Sequence, residues 1–185
     1  MEEHKDEYQE RLEKLRYLQE RNINPFKSKG SRDFEISHVF EEFEKLEKEK
    51  RHFSVVGRLK TWREHGNLIF ADLEDFSGKI QLVFVKKNLE NFDVVKKALN
   101  TSDFIQVTGE AFVTKKGEKS VNVHNWEMLT KALRSIPDSY HGLKNEETRY
   151  RKRYLDMLIN PEVRDLIIKK SKFWHAVREF LLEKG

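Results

Sequence analysis

The strongest constraint on the fold lies between residues 53 and 129, where the apolar spacing switches from strand to helix and back. Segments 53–63, 67–75 and 79–85 alternate apolar and polar residues, with turns at Glu64-His65-Gly66-Asn67 and Asp75-Phe76-Ser77-Gly78. These features predict three short strands joined by tight connections. Segment 88–100 then places Leu89, Phe92, Val95 and Leu99 at helical spacing. Two further strands are predicted at 104–114 and 118–129, joined by a Lys115-Lys116-Gly117 turn.

Three strands, one helix and two strands is the element order of an OB-fold, a five-stranded Greek-key barrel that binds oligonucleotides across one face. The expected class is therefore α+β, mainly β: an OB barrel with N-terminal helices, followed by a linker and further helices. Ahead of the barrel, 4–21 carries Tyr8, Leu12, Leu15 and Leu18 at near-helical spacing, with Asn24-Pro25 as its stop. Ser37 is the expected N-cap of a second helix bearing Val39, Phe40, Phe43 and Leu46. Beyond the barrel, 130–138 reads as an extended linker and 146–159 as helical. Asn160 is then a good N-cap, with Pro161 at the first helical position and Glu162 suited to the positive helix end. The stripe running from Val163 through Leu166, Phe173, Trp174 and Phe180 to Leu181 wants a partner surface.

Composition narrows the function. The charged fraction is 37% and the net charge is +4, from 36 Lys and Arg against 32 Asp and Glu. That excess permits nucleic-acid binding without arguing for it. With no cysteine, disulfides and thiolate zinc sites are excluded. The seven histidines show no HxxH or HExxH pairing, so no metal site is expected. Segment 115–120 lacks the glycine spacing of a phosphate loop. No apolar run approaches the ~18 residues of a membrane span, and the charged N-terminus is unlike a signal peptide. A cytoplasmic location is expected.

Strand alternation nominates a binding face. In the second strand Ile69, Ala71 and Leu73 share one phase, leaving Phe70 on the more polar face. In the third, Ile80, Leu82 and Phe84 take the core phase, and Gln81 points out beside Lys79 and Val83. In the fifth, Val121 and Val123 face in, while Glu118, Ser120 and Asn122 point away. An outward aromatic, amide and carboxylate on adjacent strands make a base pocket, because single-stranded RNA is read by stacking plus hydrogen bonds to base edges. Each residue also has an ordinary alternative. The N-terminal helices would cover Phe70, Gln81 would be a plain strand residue, and Glu118 a plain turn residue.

One block goes further. Residues 141–164 read His-Gly-Leu-Lys-Asn-Glu-Glu-Thr-Arg-Tyr-Arg-Lys-Arg-Tyr-Leu-Asp-Met-Leu-Ile-Asn-Pro-Glu-Val-Arg. This closely resembles the HGL, RYRxRYLD and NPxxR pattern joining the anticodon-binding and catalytic domains of class II lysyl-tRNA synthetases. The likeness extends to Arg-Leu-Glu-Lys-Leu-Arg and Asn-Pro-Phe near the start, and to Leu-Thr-Lys-Ala-Leu-Arg-Ser-Ile-Pro-Asp after the barrel. Two departures are Ser135-Ile136, where the family commonly has Pro, and Trp62, where a polar residue is more usual. The resemblance implies that Phe70, in Ile-Phe-Ala-Asp-Leu-Glu-Asp, stacks on the central uracil of the anticodon. Gln81 in Gly-Lys-Ile-Gln-Leu and Glu118 in Lys-Lys-Gly-Glu-Lys-Ser complete that pocket. Arg63, at the end of the first strand, and Arg58, in Val-Val-Gly-Arg, are implied as further anticodon contacts, although strand register turns Arg63 inward.

The implied organisation is a helical extension over 1–50, the anticodon-binding barrel over 51–130 and a linker over 131–160. Residues 161–185 would open a class II catalytic domain with its motif 1 helix. The implied parent is a homodimeric lysine–tRNA ligase that activates L-lysine with ATP and Mg2+ and transfers it to tRNA(Lys). Only about 20 residues follow the block, so most of that catalytic domain is expected to lie outside this chain. No catalytic residue and no cofactor is expected within it. Two rivals are the corresponding part of an aspartyl- or asparaginyl-tRNA synthetase and a free-standing OB module that binds RNA without enzymatic activity. A third is a scaffold whose barrel face binds protein.

Overall fold

The computed structural model describes residues 3–136, 143 and 145–185. Pro137 and Asp138 of the expected linker, and His141 and Gly142 of the motif block, lie outside the described residues. The chain divides into two compact units, Met1–Ser135 and Ile136–Gly185.

The first unit begins with α1 (Glu3–Gln19), α2 (Ile36–Glu41) and α3 (Phe43–Glu49). Helix α1 ends before Asn24-Pro25, at a turn where Asn22 adopts a left-handed φ of 56°. Leu18 is buried as expected, but so is Arg11, whose Nη1 donates to the carbonyls of Thr101 and Ala132 at 3.0 and 3.1 Å. Ser37 is not the N-cap of α2. The cap position is Glu35, and the free amides at that end are satisfied from a distant turn. The Ile36 amide donates to Asp75 Oδ2 at 3.0 Å and the Ser37 amide to Ser77 Oγ at 2.9 Å. A tertiary contact has replaced the local cap.

The barrel comprises β1 (His52–His65), β2 (Leu68–Glu74), β3 (Lys79–Val85), β4 (Phe104–Val113) and β5 (Lys119–Thr130). Its strands close in the order β1-β2-β3-β5-β4, with β3 and β5 parallel and the other pairs antiparallel. This is the expected OB barrel. Helix α4, between β3 and β4, covers only Phe92–Ala98, with a single 3-10 turn at Lys86–Asn88 before it. Phe53, Val55, Leu59, Ile69, Leu73, Leu82, Phe84, Val107, Val121 and Val123 fill the interior, and Phe92 and Val95 of α4 join the same core.

A buried ion pair locks one end of the barrel. Lys131 Nζ donates to Asp103 Oδ2 at 2.8 Å, Asn100 Oδ1 at 2.8 Å and the Ala98 carbonyl at 2.9 Å. Both side chains are fully buried. Loss of water pushes the Lys131 ammonium down to about 8, against the opposing pull of the Asp103 charge.

The second unit contains α5 (Glu146–Arg151), α6 (Arg153–Ile159) and α7 (Pro161–Lys184). The expected helix over 146–159 is broken at Lys152, which lies outside helical φ/ψ. Buried Asp156 organises the unit. Arg149 Nε reaches its Oδ1 at 3.0 Å, Arg153 Nη1 its Oδ2 at 2.6 Å, and Asn160 Nδ2 its Oδ1 at 2.6 Å. Burial alone would raise this carboxyl, but the Asn160 and Arg149 hydrogen bonds and the two guanidinium charges hold it below its ordinary value. Asn160 therefore occupies the N-cap position of α7 while its side chain serves Asp156, not the helix amides. Along α7, Phe173, Trp174, Phe180, Leu181 and Leu182 are exposed. No described helix is long and apolar enough to cross a membrane.

Candidate nucleic-acid interface

Register defines the outer wall of the barrel as rows of side chains. One row runs Arg63, Phe70, Val83, Asn122 and Glu110 across β1, β2, β3, β5 and β4. The next runs Thr61, Asp72, Gln81, Ser120 and Phe112. Phe70 and Gln81 thus occupy neighbouring rows on adjacent strands, about 7 Å apart along the strand direction. That spacing is within reach of one nucleobase.

Phe70 is half-buried on the outward face, and its ring meets His65 edge-on at 6.1 Å. Gln81 is held by its oxygen, since Ser120 Oγ donates to Gln81 Oε1 at 3.1 Å. The same hydroxyl lies 3.1 Å from the Glu118 carbonyl oxygen, which ties Gln81 to the entrance of β5. Glu118 is exposed in the turn before β5, where its amide donates to Thr114 Oγ1 at 3.1 Å. Gln81 and Glu118 share the wall of an open cleft of about 290 Å³, with Asp72, Lys79, Lys119 and Phe40 completing most of the lining.

Two expectations about this face are corrected. Arg63 does not face inward. The β1–β2 register shifts between Leu59 and Thr61, leaving Lys60 as an extra, unpaired residue. This bulge inverts the alternation beyond it, so Trp62 takes the core phase, tilted against Phe84 at 6.0 Å, and Arg63 is exposed opposite Phe70. Val83 lies in the outward row yet is buried, because Phe70 and Asn122 flank it on both neighbouring strands.

Arg58 stands apart from the cleft. Its guanidinium lies over the Phe104 ring at 4.2 Å, and its Nη1 reaches the Ser102 carbonyl at 3.5 Å. Burial lowers its pKa, with Glu74 opposing the shift. This is a packed, backbone-bonded arginine.

Phe40 was missed as a lining residue because helical spacing assigned it to the apolar stripe of its own helix. The Asp75 and Ser77 anchors set α2 so that Phe40 meets the cleft with its ring partly exposed.

Comparison with known proteins decides the kinship. Residues 53–129 match the family described as OB-fold nucleic acid binding domain. The chain is 40% identical over 177 residues to lysine–tRNA ligase 2 of Methanosarcina mazei, covering 94% of this chain and 35% of that protein. By sequence, the chain is similar along nearly its whole length to lysine–tRNA ligases. The Syntrophomonas wolfei ligase is 40% identical over 177 residues, covering 95% of the chain and 35% of the relative. The Clostridium perfringens ligase is 42% identical over 178 residues, with the same two coverages. The chain therefore spans about a third of the length of the lysine–tRNA ligases it matches.

Proposed function

We propose that the outer face around Phe70, Gln81 and Glu118 reads the anticodon loop of tRNA(Lys), with Phe70 stacking on the central uracil. The observation that carries this reading is the pairing of the Gln81 amide, bonded to Ser120, with the exposed Glu118 carboxylate in one cleft, with the outward Phe70 ring in the neighbouring row. Uracil offers a carbonyl oxygen to Gln81 Nε2 and its N3–H to the Glu118 carboxylate. Cytosine presents an amino donor and a bare N3 acceptor at the same positions, so each hydrogen bond would meet a partner of the wrong polarity. Such mismatches discriminate strongly because they leave desolvated polar groups unpaired. Arg63, across the strand pair from Phe70, supplies a planar cation that can stack on a neighbouring base or meet a phosphate.

In this reading residues 51–130 are the reading domain, 1–50 brace it, and 161–185 open a catalytic domain whose exposed apolar helix seeks a second subunit. Lysine activation with ATP and Mg2+, and transfer to tRNA, would be performed by the rest of that domain. The test is a titration of the chain with an anticodon stem-loop carrying UUU and with one carrying a central C, at fixed salt. Preference for the central U supports the pocket. Equal binding of the two would sink it and leave the barrel as a general RNA-binding surface.

A further inference from the structure

On the barrel wall away from the cleft, His52, Glu110 and His124 converge from β1, β4 and β5. One nitrogen of each imidazole and one carboxylate oxygen all lie within 4.8 Å of one another. We propose that these three residues form a binding site for a divalent transition-metal ion of the zinc class.

Three features of the fold build the cluster. His52 and Glu110 are register partners across β1 and β4, which puts both side chains on the same outward face. His124 is the extra residue where the β4–β5 register jumps from Thr108–Asn125 to Gly109–Val123, and this bulge turns it toward Glu110. Gly109 permits the close strand approach at that point, since a Cβ there would lie 2.1 Å from the Asn122 carbonyl oxygen. His124 Nε2 comes to rest 3.3 Å from Glu110 Oε1, and the two imidazoles stack at 4.7 Å.

The separation suits a shared ion. Ligand atoms bound tetrahedrally at ~2.0–2.1 Å lie roughly 3.3 Å from one another. The His124–Glu110 distance already matches, and His52 is exposed at the start of its strand with its ring stacked on His124. The carboxylate is also held in place by Asn122, whose Nδ2 lies 3.3 Å from His124 Nε2 as well. Asn122 Nδ2 donates to Glu110 Oε1 at 3.0 Å, and Asn88 Nδ2 donates to Asn122 Oδ1 at 3.3 Å. Outer partners of this kind typically fix ligands in metal sites. Two imidazoles and one carboxylate favour zinc, nickel, cobalt or copper over magnesium or calcium, and three protein ligands leave a fourth position for water.

Calorimetric titration of the 185-residue chain with ZnCl2, and separately with MgCl2, tests the site. Saturable 1:1 binding of zinc and none of magnesium is expected. His124→Ala and Glu110→Gln should each weaken zinc binding by at least about 10- to 100-fold, the range for loss of even an outer-shell partner. His175→Ala, on α7, should leave it unchanged. In the unmodified chain, zinc should shift the ring NMR signals of His52 and His124 and leave those of the other five of its seven histidines in place. No saturable binding, binding that survives His124→Ala, or shifts confined to other histidines would overturn the proposal.

Discussion

Arg63 and Phe70 sit opposite one another on the outer face of the β1–β2 pair because a single residue, Lys60, is left unpaired between Leu59 and Thr61. A one-residue change of register exchanges the two faces of a strand. The bulge therefore does two things at once: it packs Trp62 against the core and it sets a guanidinium opposite the aromatic side chain of the proposed binding face.

Phe70→Ala should weaken binding of the UUU stem-loop by about 5- to 150-fold, since stacking is worth ~1–3 kcal/mol per base. Arg63→Lys retains the charge and loses the planar fork, so a smaller loss with little change in salt slope is expected. Fluorescence titrations at several salt concentrations would separate the two effects.

Glu118→Gln should reduce the preference for a central U over a central C more than it reduces affinity for RNA as a whole. The neutral amide can present either a donor or an acceptor to the base, so the carboxylate's bias against a bare N3 is lost. The quantity to measure is the ratio of the two dissociation constants. An unchanged ratio would remove Glu118 from the reading mechanism.

Asp75 links the β2–β3 turn to α2. It accepts from the amides of Ile36, Ser77 and Gly78 and from the Ser77 hydroxyl. Burial of this carboxyl works to raise its pKa, but these hydrogen bonds outweigh it and the net shift is downward. A carboxylate with a depressed native pKa adds stability that is complete above its unfolded value, ~3.9. That stability is lost as pH falls through the lower native value. Asp75→Asn should therefore be less stable near neutral pH and lose less on acidification from about pH 5 to 2, as read from thermal midpoints. Asp75→Ala should cost about 0.5–2 kcal/mol, the usual range for losing a helix cap.

Lys131→Met removes the cation from a fully buried pair and leaves Asp103 charged in the interior. Breaking such a pair from one side costs about 3–5 kcal/mol. Adding Asp103→Leu should recover only part of this, because Asp103 also accepts from the amides of Asn100 and Ala132. Urea midpoints at constant denaturant slope would check both expectations.

In the second unit, Asp156→Asn should loosen α6 and the first turn of α7. It replaces the acceptor shared by Arg149, Arg153 and Asn160 with a group that is half donor. Faster amide exchange over 153–164, with the barrel unchanged, is the expected result. The Arg-Tyr-x-x-Arg-Tyr-Leu-Asp run is a structural clip.

Much of this molecule is written in local pattern. The period-two alternation at 68–74 and 79–85 puts Phe70 and Gln81 outside the core, and the strand–helix–strand order predicts the barrel. The family resemblance names the residues of the proposed pocket, and the turn residues place Glu118 at a strand entrance. Local pattern works there because a strand's two faces meet different environments, so the side-chain period records which face is buried.

What tertiary structure alone decided depends on relations across the chain. A bulge turned Arg63 outward, and no residue near Lys60 announces it. The capping of α2 by Asp75 and Ser77, the burial of Arg11 beneath two carbonyls, and the entry of Phe40 into the cleft all join segments far apart in sequence. The meeting of His52, Glu110 and His124 has the same origin. Barrel closure sets which strands are neighbours, and register sets which residues face each other, so these contacts exist only once the barrel is closed.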